Sequence, residues 1–153
     1  MTDRIEKTIC LRAPRARVWA ALTDAGQFGA WFGVSLRGPF VAGMPVEGRL
    51  TIPGYDHLDW TFNVEAIVPQ TQFSYRWHPH AVDASVDYAT EATTLVEFAL
   101  SDEAGGTRLR VTESGFDRLP LARRQEVFPL NSEGWEKMLA KIERHVLAAD
   151  PAR

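Results

Sequence analysis

Asn131-Ser132-Glu133-Gly134-Trp135-Glu136-Lys137-Met138-Leu139-Ala140-Lys141-Ile142-Glu143-Arg144-His145-Val146 is the stretch that decides the fold. Trp135, Met138, Leu139, Ile142 and Val146 recur at helical spacing and lay one broad apolar stripe along an amphipathic helix. Glu133 stands four residues before Lys137, and Arg144 and His145 suit the negative end of the helix dipole. Asn131 or Ser132 offers the N-cap. Upstream, Pro120 opens a short helix through Arg124 and Phe128, which Pro129 is expected to interrupt. A stripe this wide needs an apolar surface to cover, and the chain before it supplies one at a different period.

That period is two. Ile5, Ile9 and Leu11 share a parity in residues 4–11, and residues 46–52 form a strand bounded by Gly43 and Pro53-Gly54. Trp60, Phe62, Val64, Ala66 and Val68 alternate with Thr61, Asn63, Glu65 and Ile67 up to Pro69. Phe73, Tyr75 and Trp77 follow, then Thr94, Val96, Phe98 and Leu100, and Gly105-Gly106 turns into Thr107, Leu109, Val111 and Glu113. Between the first strand and the rest lie two short helices. Val18, Trp19 and Leu22 face inwards in one; Phe28, Trp31 and Phe32 do so in the other, capped by Thr23-Asp24. The inventory packs one way. A curved antiparallel sheet of six or seven strands wraps the last helix, and the short helices close an end: an α+β fold.

Composition bounds the function. The 153 residues are 45% hydrophobic and 24% charged, ordinary values for one globular domain spanning 1–153. Seventeen Lys+Arg against 20 Asp+Glu leave a net charge of -3, without the basic footprint of a nucleic-acid binder. A single cysteine, Cys10, excludes a disulfide framework and a thiolate-ligated cluster, and no G-x-G-x-x-G follows a strand, so no cofactor is expected. No apolar run reaches a membrane span and Met1–Glu6 lack signal-peptide character, which points to the cytoplasm.

Several motifs in order resemble one family. They are Val18-Trp19-Ala20-Ala21-Leu22-Thr23-Asp24 with Trp31-Phe32, Pro69 with Phe73-Ser74-Tyr75-Arg76-Trp77, and Thr94-Leu95-Val96-Glu97-Phe98. Gly106-Thr107-Arg108-Leu109 through Glu113-Ser114-Gly115-Phe116 and then Gly134-Trp135 complete the set. Together they resemble the activator-of-Hsp90-ATPase-like (AHSA1) family of the START/Bet v 1-like superfamily. The resemblance implies a helix-grip fold with a hydrophobic cavity between sheet and helix. Where the family pattern often has His, this chain has Glu113, so no role of that His transfers.

Glu113 shares its parity with the apolar residues Leu109 and Val111. A carboxylate on that face binds a polar ligand group or acts as general acid or base; otherwise the strand end is open to water, or a bulge at Ser114-Gly115 reverses the parity. The ligand-binding candidates are Trp31, Phe32, Trp60, Tyr75, Trp77, Phe98, Glu113 and Trp135, set against ordinary core packing. His78-Pro79-His80, with Asp83 and Asp87 beyond, occupies a long aperiodic loop that reads as a lid over a cavity mouth; its spacing matches no metal motif. His57 faces the same mouth or solvent. Arg15, Arg17, Arg123 and Arg124 read as solvated helix faces, and Cys10 as no nucleophile. Three functions compete: a binder of a small hydrophobic or aromatic molecule, a cofactor-free cyclase or hydrolase using Glu113, and a cochaperone-like interaction domain. A homodimer is compatible with each.

Overall fold

Seven strands form one antiparallel sheet: β1 (Arg4–Leu11), β2 (Val34–Leu36), β3 (Pro45–Leu50), β4 (Asp59–Val68), β5 (Gln72–Trp77), β6 (Thr94–Glu103) and β7 (Gly106–Ser114). Their order is β1-β7-β6-β5-β4-β3-β2. Among the described residues are three α-helices, α1 (Arg15–Thr23), α2 (Ala25–Phe32) and α3 (Leu121–Leu147), and two short 3-10 turns at Tyr88–Thr90 and Phe116–Arg118. The structure, a computed structural model, describes residues 4–83 and 85–148.

The alternation sets the faces. Phe73↔Phe98 and Tyr75↔Val96 pair across β5 and β6, and Val96↔Glu113 and Phe98↔Val111 across β6 and β7, so one inner face runs through three strands. Onto that face α3 lowers Val127, Trp135, Leu139, Ile142 and Val146, all buried. Each such side chain contributes ~1.5–3 kcal/mol when fully removed from water. The sheet and this helix enclose the core, and α1 and α2 close one end, joined by the Trp31 indole N–H donating to the Ala21 carbonyl at 2.8 Å.

Three details depart from the sequence pattern. A bulge between Val64 and Ala66 breaks the β4 alternation, so Ile67 opposite Phe73 packs on the core and Val68 is exposed. Pro129 does not interrupt the helix: α3 is continuous through it, and Asn131 is an interior residue rather than a cap. A proline removes one ladder bond, here to the carbonyl of Gln125, an exposed residue, and burial on both sides holds the helix together. Trp19 stays half-buried, and Ala21 joins Val18 and Leu22 as the buried residues of α1.

The four arginines read as solvated faces are tied down: Arg15 pairs with Asp102 and donates to the Gln70 carbonyl at 3.0 Å, and Arg124 reaches the Asp117 and Leu119 carbonyls. Arg17 donates to the Val146 carbonyl at 2.7 Å and to those of Ala148 and His145 at 3.3 and 3.4 Å, and so caps the C-terminus of α3. Arg123 clasps Glu91 and the Pro79 carbonyl, as described below.

The helical glycines differ in what surrounds them. A Cβ at Gly29 would overlap the Val34 carbonyl oxygen, whereas one at Gly134 would meet nothing within 4 Å. Gly29→Ala is therefore expected to lower the thermal midpoint by backbone displacement, despite alanine's better helix propensity. Gly134→Ala is expected to raise stability by up to ~1 kcal/mol. Thermal unfolding of the two variants beside the parent checks both signs.

Candidate functional site

The sheet's inner face ends at a cluster built around one carboxylate. Trp77 closes β5, Thr94 opens β6 opposite it, and Glu113 lies near the end of β7, diagonal to Thr94. From above, α3 brings Asn131 and Trp135, four residues apart and therefore on one helix face. Glu113 is 0% exposed and accepts from all four. The Trp77 indole N–H lies 2.9 Å and the Thr94 hydroxyl 2.6 Å from Oε2; the Trp135 indole N–H lies 2.8 Å from Oε1. Asn131 Nδ2 reaches Oε1 at 3.0 Å and Oε2 at 3.3 Å. Burying a charge costs several kcal/mol, and hydrogen bonds to a charged acceptor are the strong ones that offset it. Glu113 is neither open to water nor turned outwards by a bulge: the left-handed Gly115 (φ 97°) comes after the parity is set.

Beside this cluster lies a cavity of about 380 Å³ between the sheet and α3. The sheet side is walled by Leu50, Ile52, Trp60 and Trp77, with Phe32 of α2 at the end. The helix side presents Leu130, Asn131, Gly134, Trp135 and Met138, and Tyr55 and Lys137 stand at the rim. Trp77 and Trp135 stack with centroids 5.9 Å apart at 25°. Their N–H groups are held by Glu113, so they turn carbon surface to the cavity. Trp60 meets Trp77 edge-on at 6.1 Å, and its indole N–H is buried without a partner.

The structure divides the sequence-derived candidates. Phe32, Trp60, Trp77 and Trp135 line the cavity, and Glu113 lies behind its wall, holding two of them. Trp31, Tyr75 and Phe98 lie in the packed core away from it. Tyr75 is fully buried with no partner for its hydroxyl; burial first, then the Glu113 charge, push that hydroxyl well above its ordinary pKa of 10.0. It stays a neutral phenol. Asn131 and Thr94 were not singled out from the sequence. Asn131 carried a signal all the same, being a polar residue one turn before Trp135 on the stripe.

The aperiodic loop between β5 and β6 is held down by Arg123. Its guanidinium contacts both Glu91 oxygens at 2.8–3.0 Å, donates to the Pro79 carbonyl at 2.7 Å, and sits 4.9 Å from the Tyr88 ring. This brings His80 and Val82 onto the cavity wall. His78 is half-buried and His57 exposed, and neither lines the cavity. Asp83 and Asp87 accept from Ser85 and Ala89 and so cap local turns. Among the described residues no three of His, Cys, Asp and Glu gather closely enough to hold a metal ion. None of the described helices is long and apolar enough to cross a membrane.

Two predictions follow from these contacts. Glu113→Gln turns an amide N–H₂ against indole N–H donors, so the unfolding free energy should drop by ~1–3 kcal/mol, read as a lower urea midpoint with unchanged slope. Burial also lowers His80 below its ordinary 6.5, with Glu126 opposing and Arg123 reinforcing; burial likewise lowers His145, with Arg17 reinforcing. Both bind fewer protons folded than unfolded. Stability should therefore be full above pH 6.5 and decline as pH falls towards 5, before the carboxylates titrate. His80→Gln should flatten part of that decline in urea titrations at stepped pH.

The cavity, the clamped carboxylate and the sheet order can now be set beside known proteins. The model of the family described as activator of Hsp90 ATPase homolog 1-like protein matches residues 12–146. Protein MLL2253 from Mesorhizobium loti superposes with a TM-score of 0.75 at 20% identity, over 96% of this chain and 98% of its own. DynU16, a protein in the dynemicin biosynthetic locus, gives 0.74 at 23% identity over 100% of this chain, which spans only 50% of DynU16. The Aha1 dimer from Colwellia psychrerythraea gives 0.70 at 16% identity, over 95% of this chain and 96% of its own. No curated protein matches the chain. The chain belongs to the activator of Hsp90 ATPase homolog 1-like family and has the helix-grip fold of the START/Bet v 1-like superfamily.

Proposed function

We propose that this protein binds a small apolar or aromatic molecule in the cavity between the sheet and α3. One observation carries the reading: an open space of about 380 Å³ with an almost wholly apolar, tryptophan-rich wall, bordered on the helix side by a glycine. That volume falls in the range of small-molecule sites, roughly 300–1,000 Å³. A glycine in the middle of a long helix costs ~1 kcal/mol against alanine. At Gly134 no neighbour demands it, and any larger side chain would occupy the cavity.

Glu113 is better suited to positioning than to proton transfer. A general base needs a lone pair within reach of the substrate proton. Here the carboxylate is shared among four donors and separated from the cavity by the residues that donate to it. Its part in this reading is to fix the two indoles and the amide that form the wall.

Titration with a panel of two- and three-ring aromatic compounds, followed by quenching of tryptophan fluorescence, tests the proposal. Trp60, Trp77 and Trp135 should respond, with micromolar dissociation constants for the compounds that fit. Gly134→Leu should remain folded and lose at least tenfold in affinity. An unquenched parent protein across the panel, or undiminished binding by Gly134→Leu, would count against the cavity as the site.

A further inference from the structure

We propose that Asn131 is the polar recognition residue of the cavity and selects aromatic ligands that carry a hydrogen-bond donor, the phenol class. The inference deepens the binding reading above and rests on it. Its basis is the orientation of one amide. A carboxylate only accepts, so the atom of Asn131 that lies 3.0 and 3.3 Å from the Glu113 oxygens must be Nδ2. The opposite atom, Oδ1, makes no hydrogen bond to the described residues, and Asn131 lines the cavity. The buried acid thus sets a carbonyl acceptor in a mostly apolar wall.

His80 is the other polar side chain on the wall, half-buried on the β5–β6 loop; the remaining polar groups do not compete for that role. Trp77 and Trp135 have committed their N–H groups to the same carboxylate, so they offer the cavity ring surface. Trp60 keeps its N–H beneath the wall. Tyr55 and Lys137 stand exposed at the rim, where water solvates them, and Lys137 also pairs with Glu133 at 3.3 Å.

Shape supports the same ligand. Gly134 follows Asn131 by three residues, so both lie on one face of α3. The bare backbone at Gly134 leaves space for a flat ring, and the Asn131 carbonyl is one turn away. A ring over Gly134 with its hydroxyl turned to Asn131 Oδ1 uses both features. An unsubstituted hydrocarbon fills the space and leaves the carbonyl without a partner, a loss that binding sites with buried polar groups penalise.

The test uses the full chain and a matched trio: 2-naphthol, 2-methoxynaphthalene and naphthalene, titrated by calorimetry or fluorescence. The parent should bind 2-naphthol about 5- to 10-fold more tightly than 2-methoxynaphthalene. In Asn131→Leu that ratio should fall to near one, because the affinity for 2-naphthol drops to that for 2-methoxynaphthalene. Should Asn131→Leu fail to fold, the parent decides. Its affinity for 2-naphthol should decline as the ligand's own hydroxyl ionises at alkaline pH, while that for 2-methoxynaphthalene stays flat. Equal affinity of the parent for the two compounds, or a preference that survives Asn131→Leu, overturns the role of Asn131 and leaves the cavity reading standing. Failure of all three compounds to bind removes both.

Discussion

The carboxylate of Glu113 is sealed from solvent and, among the described residues, pairs with no cation; four hydrogen-bond donors from β5, β6 and α3 balance it instead. That requirement reaches far. Asn131 and Trp135 satisfy it only if α3 presents one particular face to the sheet, because a rotation of one residue, about 100°, would carry both donors away. Trp77 and Thr94 satisfy it only in the register that sets them opposite each other at the sheet's end. The buried charge therefore links the rotation of the helix to the register of the strands, and the cavity wall is what that linkage leaves behind.

Two further polar contacts hold the helix at its ends. Arg17 of α1 covers carbonyls that the C-terminus of α3 cannot satisfy itself. At the other end Arg123 ties the β5–β6 loop to the first turns of α3 through Glu91 and the Pro79 carbonyl. The second contact shapes the cavity, since the loop contributes His80 and Val82 to the wall. His80 itself sits in the left-handed region, with φ 47°. For a residue with a Cβ this costs energy, and the surrounding contacts must hold it there.

The architecture was legible in the sequence because it rests on periodicity. Alternation in β5, β6 and β7 and the stripe from Trp135 to Val146 are strong, mutually consistent patterns, and together they allow one packing. What escaped depends on contacts between distant residues. The Val64/Ala66 bulge inverts the end of β4, though Ile67 on the polar parity was a local sign of it. Pro129 reads as a break in isolation, and only tertiary burial on both sides carries the helix through. Arg17 and Arg123 look like solvent-facing charges until the segments they bind, distant in the sequence, are placed beside them. For the site, parity alone assigned Glu113 and Trp77 to the inner face. It could not separate Trp77, on the cavity, from Tyr75, two residues back and sealed in the core.

One buried acid holds two indole rings in place. The five tryptophans give separate indole N–H signals in a ¹H–¹⁵N spectrum, and hydrogen exchange can be followed for each. Trp77 and Trp135 should exchange slowly and resonate at low field, because their protons lie in charge-assisted bonds. In Glu113→Ala both signals should move and lose protection together, with those of Trp19 and Trp31 little changed. Fast exchange of Trp77 and Trp135 in the parent protein, or signals that ignore the loss of Glu113, would contradict the account.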